Sequence, residues 1–142
     1  MLAWPKYDFK WNKRRGRYMM DNQLEHIRDI WVNAFFTGNY ATLADYEDEH
    51  FKVVYEQDGR VESNYTRYEQ IAHAVKNGVW KPQKPDVAFE EYEFNRDQTE
   101  CKILIGLTES KQQIQEIWRF DQGWKILELR FLKAKKDQHS VL

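Results

Sequence analysis

Two glutamates near the C-terminus are the residues of this chain best placed to do acid–base chemistry. Glu116 and Glu128 flank Asp121-Gln122-Gly123, a stretch with the length and the glycine of a tight β-hairpin loop. A three-residue loop closed by Phe120 and Trp124, with its glycine in the left-handed conformation, fixes how the two strands pair. Since side chains alternate along a strand, counting outward from this loop places Glu116 directly opposite Glu128 on one face.

Like charges directly opposite each other on an exposed sheet destabilise it by about 0.2–1 kcal/mol. Another interaction should therefore offset the repulsion between these two glutamates. Glu116 and Glu128 could hold their diagonal neighbour Arg130 in a salt-bridge cluster, which is the simplest interpretation. They could instead share a proton and act as general acid and base, with Arg130 stabilising an anion. They could also hydrogen-bond a ligand that carries hydroxyl or amine groups.

The same face of the hairpin is predicted to be concave and to line a pocket. Trp118 lies opposite Ile126 there, and large aromatic groups beside charged ones are typical of a pocket wall. Trp31 on the first helix, and Tyr55 and His50 on the first strand, are the other candidates for ligand contact. Tyr55 could equally be a buried tyrosine bound to a backbone carbonyl, and His50 an ordinary turn residue.

The opposite face of the hairpin carries a second apolar set of residues. We expect this face to be convex and to form the interface of a C2 homodimer. Its residues are Ile117, Leu127, Leu129 and Phe131. A slip of one residue in the register would exchange the two faces.

The sequence predicts no metal site and no cofactor. No pair of His, Cys or acidic residues has a diagnostic helical or knuckle spacing, no glycine-rich phosphate loop is present, and no serine lies in a nucleophile-elbow sequence. Cys101 begins an apolar strand, where a buried and inert thiol is expected. Acid–base chemistry in the hairpin is therefore the enzymatic mechanism that the residues favour.

Composition predicts one soluble domain. The chain has 142 residues, within the usual size of a single domain, and no apolar run approaches the roughly 18–20 residues of a membrane helix. Its 22 Lys and Arg residues nearly balance its 23 Asp and Glu residues, so no overall field would recruit nucleic acid or anionic membrane. Because no secretory signal is visible and the lone cysteine cannot form an internal disulfide, we expect a cytoplasmic protein.

The first eighteen residues form a basic segment that differs from the rest. It carries six Lys and Arg residues against one acid, and its aromatic residues alternate with polar ones as in a strand. We expect residues 1–18 to be a solvated and dispensable arm, and weak binding to nucleic acid is the alternative. Residues 19–134 would then be the folded domain, and residues 135–142 a polar tail.

Apolar periodicity predicts two helices, a hairpin, a third helix and a set of long strands. The first helix would begin at a cap at Asp21 or the next residue and end at Gly38, and Asn39 would cap a short second helix. A two-residue turn at Asp58-Gly59, whose residues both tolerate positive φ, would close the hairpin. Thr66 would cap the third helix. The long strands are expected at 87–94, 101–109, 113–120 and 124–133.

Two stretches of sequence, taken with this order of elements, carry a likeness to a known family. The first, 43–75, contains Tyr46-Glu47-Asp48-Glu49-His50-Phe51, Asp58-Gly59-Arg60-Val61 and Arg67-Tyr68-Glu69-Gln70-Ile71. The second is Trp118-Arg119-Phe120-Asp121-Gln122-Gly123-Trp124-Lys125-Ile126. With the strands between them, over 21–134, they resemble the nuclear transport factor 2-like, or SnoaL-like, superfamily. The resemblance implies a cystatin-like α+β fold, in which a cone-shaped, curved antiparallel sheet packs three N-terminal-half helices on its concave face.

The resemblance leaves the activity open. Members of that superfamily include polyketide cyclases, dehydratases, isomerases, transport adaptors and oligomerisation domains. Its ketosteroid isomerases place a general-base aspartate on the strand after the second helix, and Val54 stands near that position here. An alkyl side chain cannot accept a proton, so an isomerase of that kind is disfavoured.

We therefore expect a pocket domain that binds a small organic molecule without catalysis. The first alternative is an acid–base enzyme of the isomerase, dehydratase or cyclase type that uses the pocket carboxylates. The second is a protein-interaction or immunity-type module that uses the convex face and the basic arm. An interior packed solid by Trp31, Trp118 and Trp124 would exclude both small-molecule functions.

Overall fold

The structure is a computed structural model that describes the backbone of residues 15–134 and the side chains of residues 23–134. Within these residues, helices precede and interrupt a six-stranded sheet. The helices are α1 (Arg15–Thr37), α2 (Tyr40–Tyr46) and α3 (Asn64–Lys76). The strands are β1 (Glu47–Tyr55), β2 (Arg60–Ser63), β3 (Val87–Phe94), β4 (Glu100–Leu107), β5 (Gln113–Phe120) and β6 (Trp124–Phe131).

The strands form one open sheet in the order β2-β1-β6-β5-β4-β3. Neighbouring strands are antiparallel except β1 and β6, which run parallel. The helices α1 and α2 contact each other, and α3 contacts β1. The predicted α+β fold, with three helices and one curved sheet, is confirmed, although the sheet is mixed rather than wholly antiparallel. In the part of the chain described, no helix combines the length and the apolar character needed to cross a membrane.

The first helix begins earlier than its sequence signals indicate. It starts at Arg15 rather than at a cap near Asp21, because this stretch contains no proline and consists mostly of good helix formers. Residues 15–18 of the predicted arm are therefore helical. The rest of that arm, residues 1–14, and the predicted tail, residues 135–142, lie outside the described residues.

The other helix ends follow local capping signals, with one correction. Gly38, at φ +76°, ends α1, and the side chain of Asn39 accepts a hydrogen bond from Thr42 N at 3.1 Å, so both predictions are confirmed. The cap of α3 is Ser63, whose Oγ accepts from Thr66 N at 3.2 Å, and not Thr66 itself. Ser63 accepts from the amide three residues on, as helix caps do, so the cap stands three residues earlier than the sequence indicated.

The loop between β1 and β2 is longer than predicted. Four residues, 56–59, connect the strands, with Gly59 at φ +73° and its N donating to Tyr55 O at 2.8 Å. The side chain of Asp58 accepts from Arg60 N at 3.0 Å. An aspartate that bonds to the amide two residues on forms its own turn, and this turn replaces the expected two-residue one.

The closing hairpin has the predicted loop. Phe120 pairs with Trp124 across three residues. The left-handed residue of the loop is Gln122, at φ +64°, whereas the prediction assigned that conformation to Gly123, which has φ +153°. A residue with a side chain rarely adopts the latter value, so the glycine is still required for this loop.

A β-bulge changes the register beyond this loop. Ile117 pairs with Glu128 rather than with Leu127, which is therefore an extra residue on β6. Glu116 lies opposite Leu129 as a consequence. The predicted Glu116–Glu128 pair is wrong, because counting by alternation assumes that both strands advance together.

The bulge also reverses the sidedness predicted for the end of β6. Leu129 and Phe131 pack against the buried core on the inner face, under the helices, and not on the outer face. Glu128 and Arg130 lie on the outer face, where Arg130 Nε donates to Glu128 Oε1 at 2.8 Å. The salt bridge expected for these residues therefore exists, but it excludes Glu116.

One end of the interior is filled by tryptophan. Trp118 and Trp124 are fully buried, and Trp31 meets Trp118 edge to face with ring centroids 5.6 Å apart. Cys101 pairs with Trp118 across the sheet and is buried, as predicted. Open space must therefore lie toward the other end of the sheet.

Candidate functional site

A cavity of about 920 Å³ lies between the inner face of the sheet, α1, α3 and the segment that joins α3 to β3. Trp80 in that segment donates from Nε1 to the carbonyl oxygen of Phe35 at 2.8 Å, which ties the segment to α1. Six aromatic side chains belong to the wall. They are Trp31, Phe35, Phe36, Tyr55, Trp80 and Phe131.

The floor of the cavity is the inner face of four strands. Its apolar residues are Val53, Ile105, Leu107, Ile114 and Leu129, together with Phe131. The ring of Phe131 stacks on the ring of Tyr55, with centroids 5.1 Å apart and planes 7° apart. The bulge in β6 determines this floor, because without it two charged residues of β6 would face inward.

A buried ion pair stands where the cavity meets the filled end of the interior. Arg28 on α1 donates from Nε to Glu116 Oε1 at 2.6 Å and from Nη2 to Glu116 Oε2 at 2.8 Å. Its Nη1 donates to Glu90 Oε2 at 3.0 Å, and Trp118 Nε1 donates to Glu116 Oε1 at 2.7 Å. Burial alone would lower the pKa of Arg28, but the adjacent Glu116 carboxylate outweighs burial and raises it.

This ion pair bears directly on the predicted acid–base chemistry. Glu116 is buried and accepts three hydrogen bonds, two of them from a cation. Glu128 and Arg130 belong to the other face of the sheet. The three predicted catalytic residues therefore do not form one site, and a proton shared between Glu116 and Glu128 is excluded by the register.

A second buried carboxylate lies at the start of β1. Glu47 Oε2 accepts from Trp31 Nε1 at 2.9 Å and from Arg67 Nη1 at 3.3 Å, and its Oε1 accepts from the Tyr68 hydroxyl at 2.5 Å. Burial, followed by the hydrogen bond to Glu47, raises the pKa of Tyr68. The donors of this cluster come from α1 and α3, so it joins both helices to the sheet.

The hydroxyl of Tyr55 is bound by a side chain, not by the backbone carbonyl that the sequence left open. It donates to Glu62 Oε1 at 3.2 Å. Arg60 lies over the Tyr55 ring at 4.0 Å and reaches Glu62 Oε2 at 3.6 Å. Burial and the nearby Glu62 raise the pKa of Tyr55, so the phenol stays a hydrogen-bond donor at the edge of the cavity.

Of the predicted ligand contacts, two line the cavity. Trp31 and Tyr55 do so. Trp118 and Ile126 are fully buried in the filled end of the interior, outside the cavity lining. His50 is 86% exposed and pairs with its neighbour Glu49 at 3.3 Å, so it also lies outside the lining.

The predicted dimer face is divided by the bulge. Leu129 and Phe131 line the cavity, so their assignment to a convex outer face is wrong. Ile117 and Leu127 are half-buried and belong to neither the core cluster nor the cavity lining. A homodimer stays a prediction, with a smaller set of residues to support it.

The sequence analysis missed Arg28, Arg67 and Glu47. A signal was present for the arginines. Arg28 lies four residues after Leu24 and three before Trp31, on the apolar stripe of α1, and Arg67 lies four residues before Ile71 on α3. A charged residue on a core-facing stripe must be paired, because an unpaired charge is costly to bury.

Comparison with known proteins identifies the fold. No family model and no curated protein sequence matches the chain. An NTF2-like protein from Cytophaga hutchinsonii ATCC 33406 is similar with a TM-score of 0.62 at 10% identity, over 78% of this chain and 95% of that one. An uncharacterized protein with a cystatin-like fold from Caulobacter vibrioides has a TM-score of 0.60 at 9% identity, over 85% and 94%.

A protein provisionally assigned as a ketosteroid isomerase is also similar. It comes from Shewanella frigidimarina NCIMB 400 and has a TM-score of 0.57 at 14% identity, over 80% of this chain and 97% of that one. At such identities the likeness concerns the fold alone. The chemistry of the cavity has to be argued from its own residues.

Proposed function

Because the chain has the NTF2-like fold, we propose that its cavity binds a small organic molecule without catalysing a reaction of it. The observation that carries this proposal is the aromatic-walled cavity of about 920 Å³. Ligand sites in proteins are concave, mostly apolar and roughly 300–1,000 Å³ in volume, with a few polar groups that orient the ligand. The cavity has this size and this lining.

The aromatic side chains favour a ligand with a flat or extended apolar body. Tyr55 and Phe131 stack on one wall, and Phe35 and Trp80 meet edge to face with centroids 5.1 Å apart on another. Rings fixed by such contacts lose little freedom when a ligand enters, so their buried area contributes to affinity at low entropic cost.

The state of the buried carboxylates supports binding over catalysis. A general base must reach a substrate proton and release its resting partner. Glu116 is held by two hydrogen bonds from Arg28, and losing one partner of a buried ion pair costs about 3–5 kcal/mol. Val54, which stands near the position of the general base in the ketosteroid isomerases of the superfamily that the sequence resembles, lies outside the cavity lining.

Native mass spectrometry of the purified protein tests the proposal. We expect a bound small molecule, or a rise in Tm with members of a metabolite library, and a ligand that is recovered unchanged after prolonged incubation. Leu129→Trp should abolish binding, because Leu129 lies on the cavity floor. The matched control is Leu104→Trp, on the same sheet but outside the core cluster and the lining.

Two results would contradict the proposal. If Leu129→Trp and Leu104→Trp bind alike, the ligand does not occupy the cavity. If the recovered ligand has a changed mass or a new isomeric form, the protein is a catalyst and the resting geometry of Glu116 is not its working one.

A further inference from the structure

Arg67 is a buried cation in the wall of the cavity. Protein acceptors satisfy only some of its hydrogen-bond donors. Its side chain is 9% exposed, and it lines the cavity from α3. Its hydrogen bond to protein runs from Nη1 to Glu47 Oε2, at 3.3 Å. Among residues 23–134, no acceptor lies within hydrogen-bond distance of its Nε or Nη2.

The contrast with Arg28 makes this arrangement informative. All three nitrogens of Arg28 donate to carboxylates. Among the side chains that the structure describes, the Nε and Nη2 of Arg67 have no such acceptors. Arg67 belongs to the cavity lining, so a ligand in the cavity can reach its guanidinium group.

The free edge of Arg67 has the geometry of a carboxylate receptor. The Nε–H and Nη2–H bonds of a guanidinium run parallel and match the two oxygens of a carboxylate. The guanidinium carbon lies 5.5 Å from the ring centroids of both Phe35 and Phe51, which restrict its movement. A donor pair held in place before binding loses less entropy on binding.

The surrounding charges leave Arg67 attractive to an acceptor. Its partner Glu47 also accepts hydrogen bonds from Trp31 and Tyr68, so the carboxylate charge is shared among three donors. Glu62 is the other acid near this wall, and it is engaged by Tyr55 and Arg60. The acids at this wall are thus already bound, while one edge of the arginine is not.

We propose that the ligand is a carboxylic acid with an apolar body, whose carboxylate binds Nε and Nη2 of Arg67. This inference rests on the proposed function, because it assigns the polar end of a ligand that the cavity would hold. The apolar body then lies along the Tyr55–Phe131 wall. Amines and neutral apolar molecules of the same shape would bind less tightly.

Matched probes test the charge requirement. The probes are naphthoate, pyrenebutyrate and decanoate, each compared with its primary amide and with the corresponding amine by calorimetry. We expect at least one acid to bind with a Kd at least about tenfold below that of its amide, as for a charge-assisted bidentate contact. Equal affinity of acid and amide overturns the inference but leaves the proposed function standing.

NMR of the arginine Nε–H groups locates the contact without a substitution. On addition of the acid, the Arg67 Nε–H signal should shift strongly, while that of Arg28, already bonded to Glu116, should stay in place. A shift of the Arg28 signal alone, or of neither signal, overturns the inference. Failure of every probe in the set to bind also overturns it, and the mass spectrometry above then decides separately whether the cavity binds anything.

Arg67→Lys is the informative variant. Lysine keeps the positive charge beside Glu47, so that carboxylate stays paired, but it lacks the parallel donor edge. Acid affinity should fall at least about tenfold while amide affinity is unchanged. Arg119→Lys, at an exposed cation on β5 outside the cavity lining, is the control and should leave both affinities unchanged.

Discussion

Replacing Arg28 by methionine removes a buried cation and leaves its partners behind. The side chains of Arg28 and Glu116 are 8% and 3% exposed, so water cannot take over the ion pair. Glu116 would keep one donor, Trp118 Nε1. Losing one partner of a buried ion pair costs about 3–5 kcal/mol. We expect Arg28→Met to lower the free energy of unfolding by that amount, and Tm by roughly 10 °C or more.

Urea unfolding followed by tryptophan fluorescence measures this loss. In a double-mutant cycle, Arg28→Met combined with Glu116→Gln should be less destabilising than the sum of the two single changes, since the second change removes the stranded charge. Lys102→Met is the control. Its ion pair with Glu93 spans 3.6 Å between side chains that are 50% and 77% exposed, and such pairs contribute about 0–1 kcal/mol.

The raised pKa of Arg28 also predicts how the loss of stability should depend on pH. A base whose pKa is raised by folding contributes stability that is complete below its ordinary pKa, about 12.5, and is lost only at higher pH. The loss caused by Arg28→Met should therefore persist from about pH 6 to about pH 10. The reasoning is refuted if Arg28→Met is no more destabilising than Lys102→Met, or if its effect disappears within that pH range.

Urea unfolding followed by tryptophan fluorescence also tests three further substitutions. Ser63→Ala should lower the free energy of unfolding by about 1 kcal/mol, because it removes the cap of α3, and Thr66→Ala should lower it by less. Equal losses would contradict the assignment of Ser63 as the cap. Gly106→Ala should lower the free energy of unfolding by about 1–3 kcal/mol, because a Cβ there would stand 2.0 Å from the Phe89 ring. Adding Phe89→Ala to the Gly106→Ala chain should restore part of that stability. No loss on Gly106→Ala would mean that the Phe89 ring moves freely. Burial raises the pKa of Tyr68, so the native phenol keeps its proton where the unfolded one loses it. Its stability contribution is full below about pH 10 and falls as the pH rises above that value. The stability of Tyr68→Phe should therefore decline less steeply with pH than that of the unchanged chain, and equal slopes would disprove this.

Local patterns in the sequence determined the elements and their order. The short helix Tyr40–Tyr46 and the strands Val87–Phe94 and Gln113–Phe120 lie where apolar periodicity placed them. The period of a helix or strand, and the chemistry of a tight loop, depend on residues that are neighbours in the chain. For the same reason the hairpin that joins Phe120 to Trp124 could be predicted.

The site was predictable only where a single residue carried the signal. Trp31 and Tyr55 were recognised from helix stripe and strand parity, and both line the cavity. Arg28 was missed, because its partner Glu116 lies 88 residues away in the chain and no local pattern encodes that contact. Its place on an apolar stripe indicated that a partner was needed but not which one.

The sequence by itself determined that β5 and β6 form a hairpin, and only the tertiary structure decided which side chains of β6 face inward. Alternation is a property of each strand, whereas pairing depends on how the twisted sheet fits under the helices. One extra residue, Leu127, turns Leu129 and Phe131 toward the cavity. The site that sequence counting predicted to be acidic is therefore an aromatic cavity with arginine in its wall.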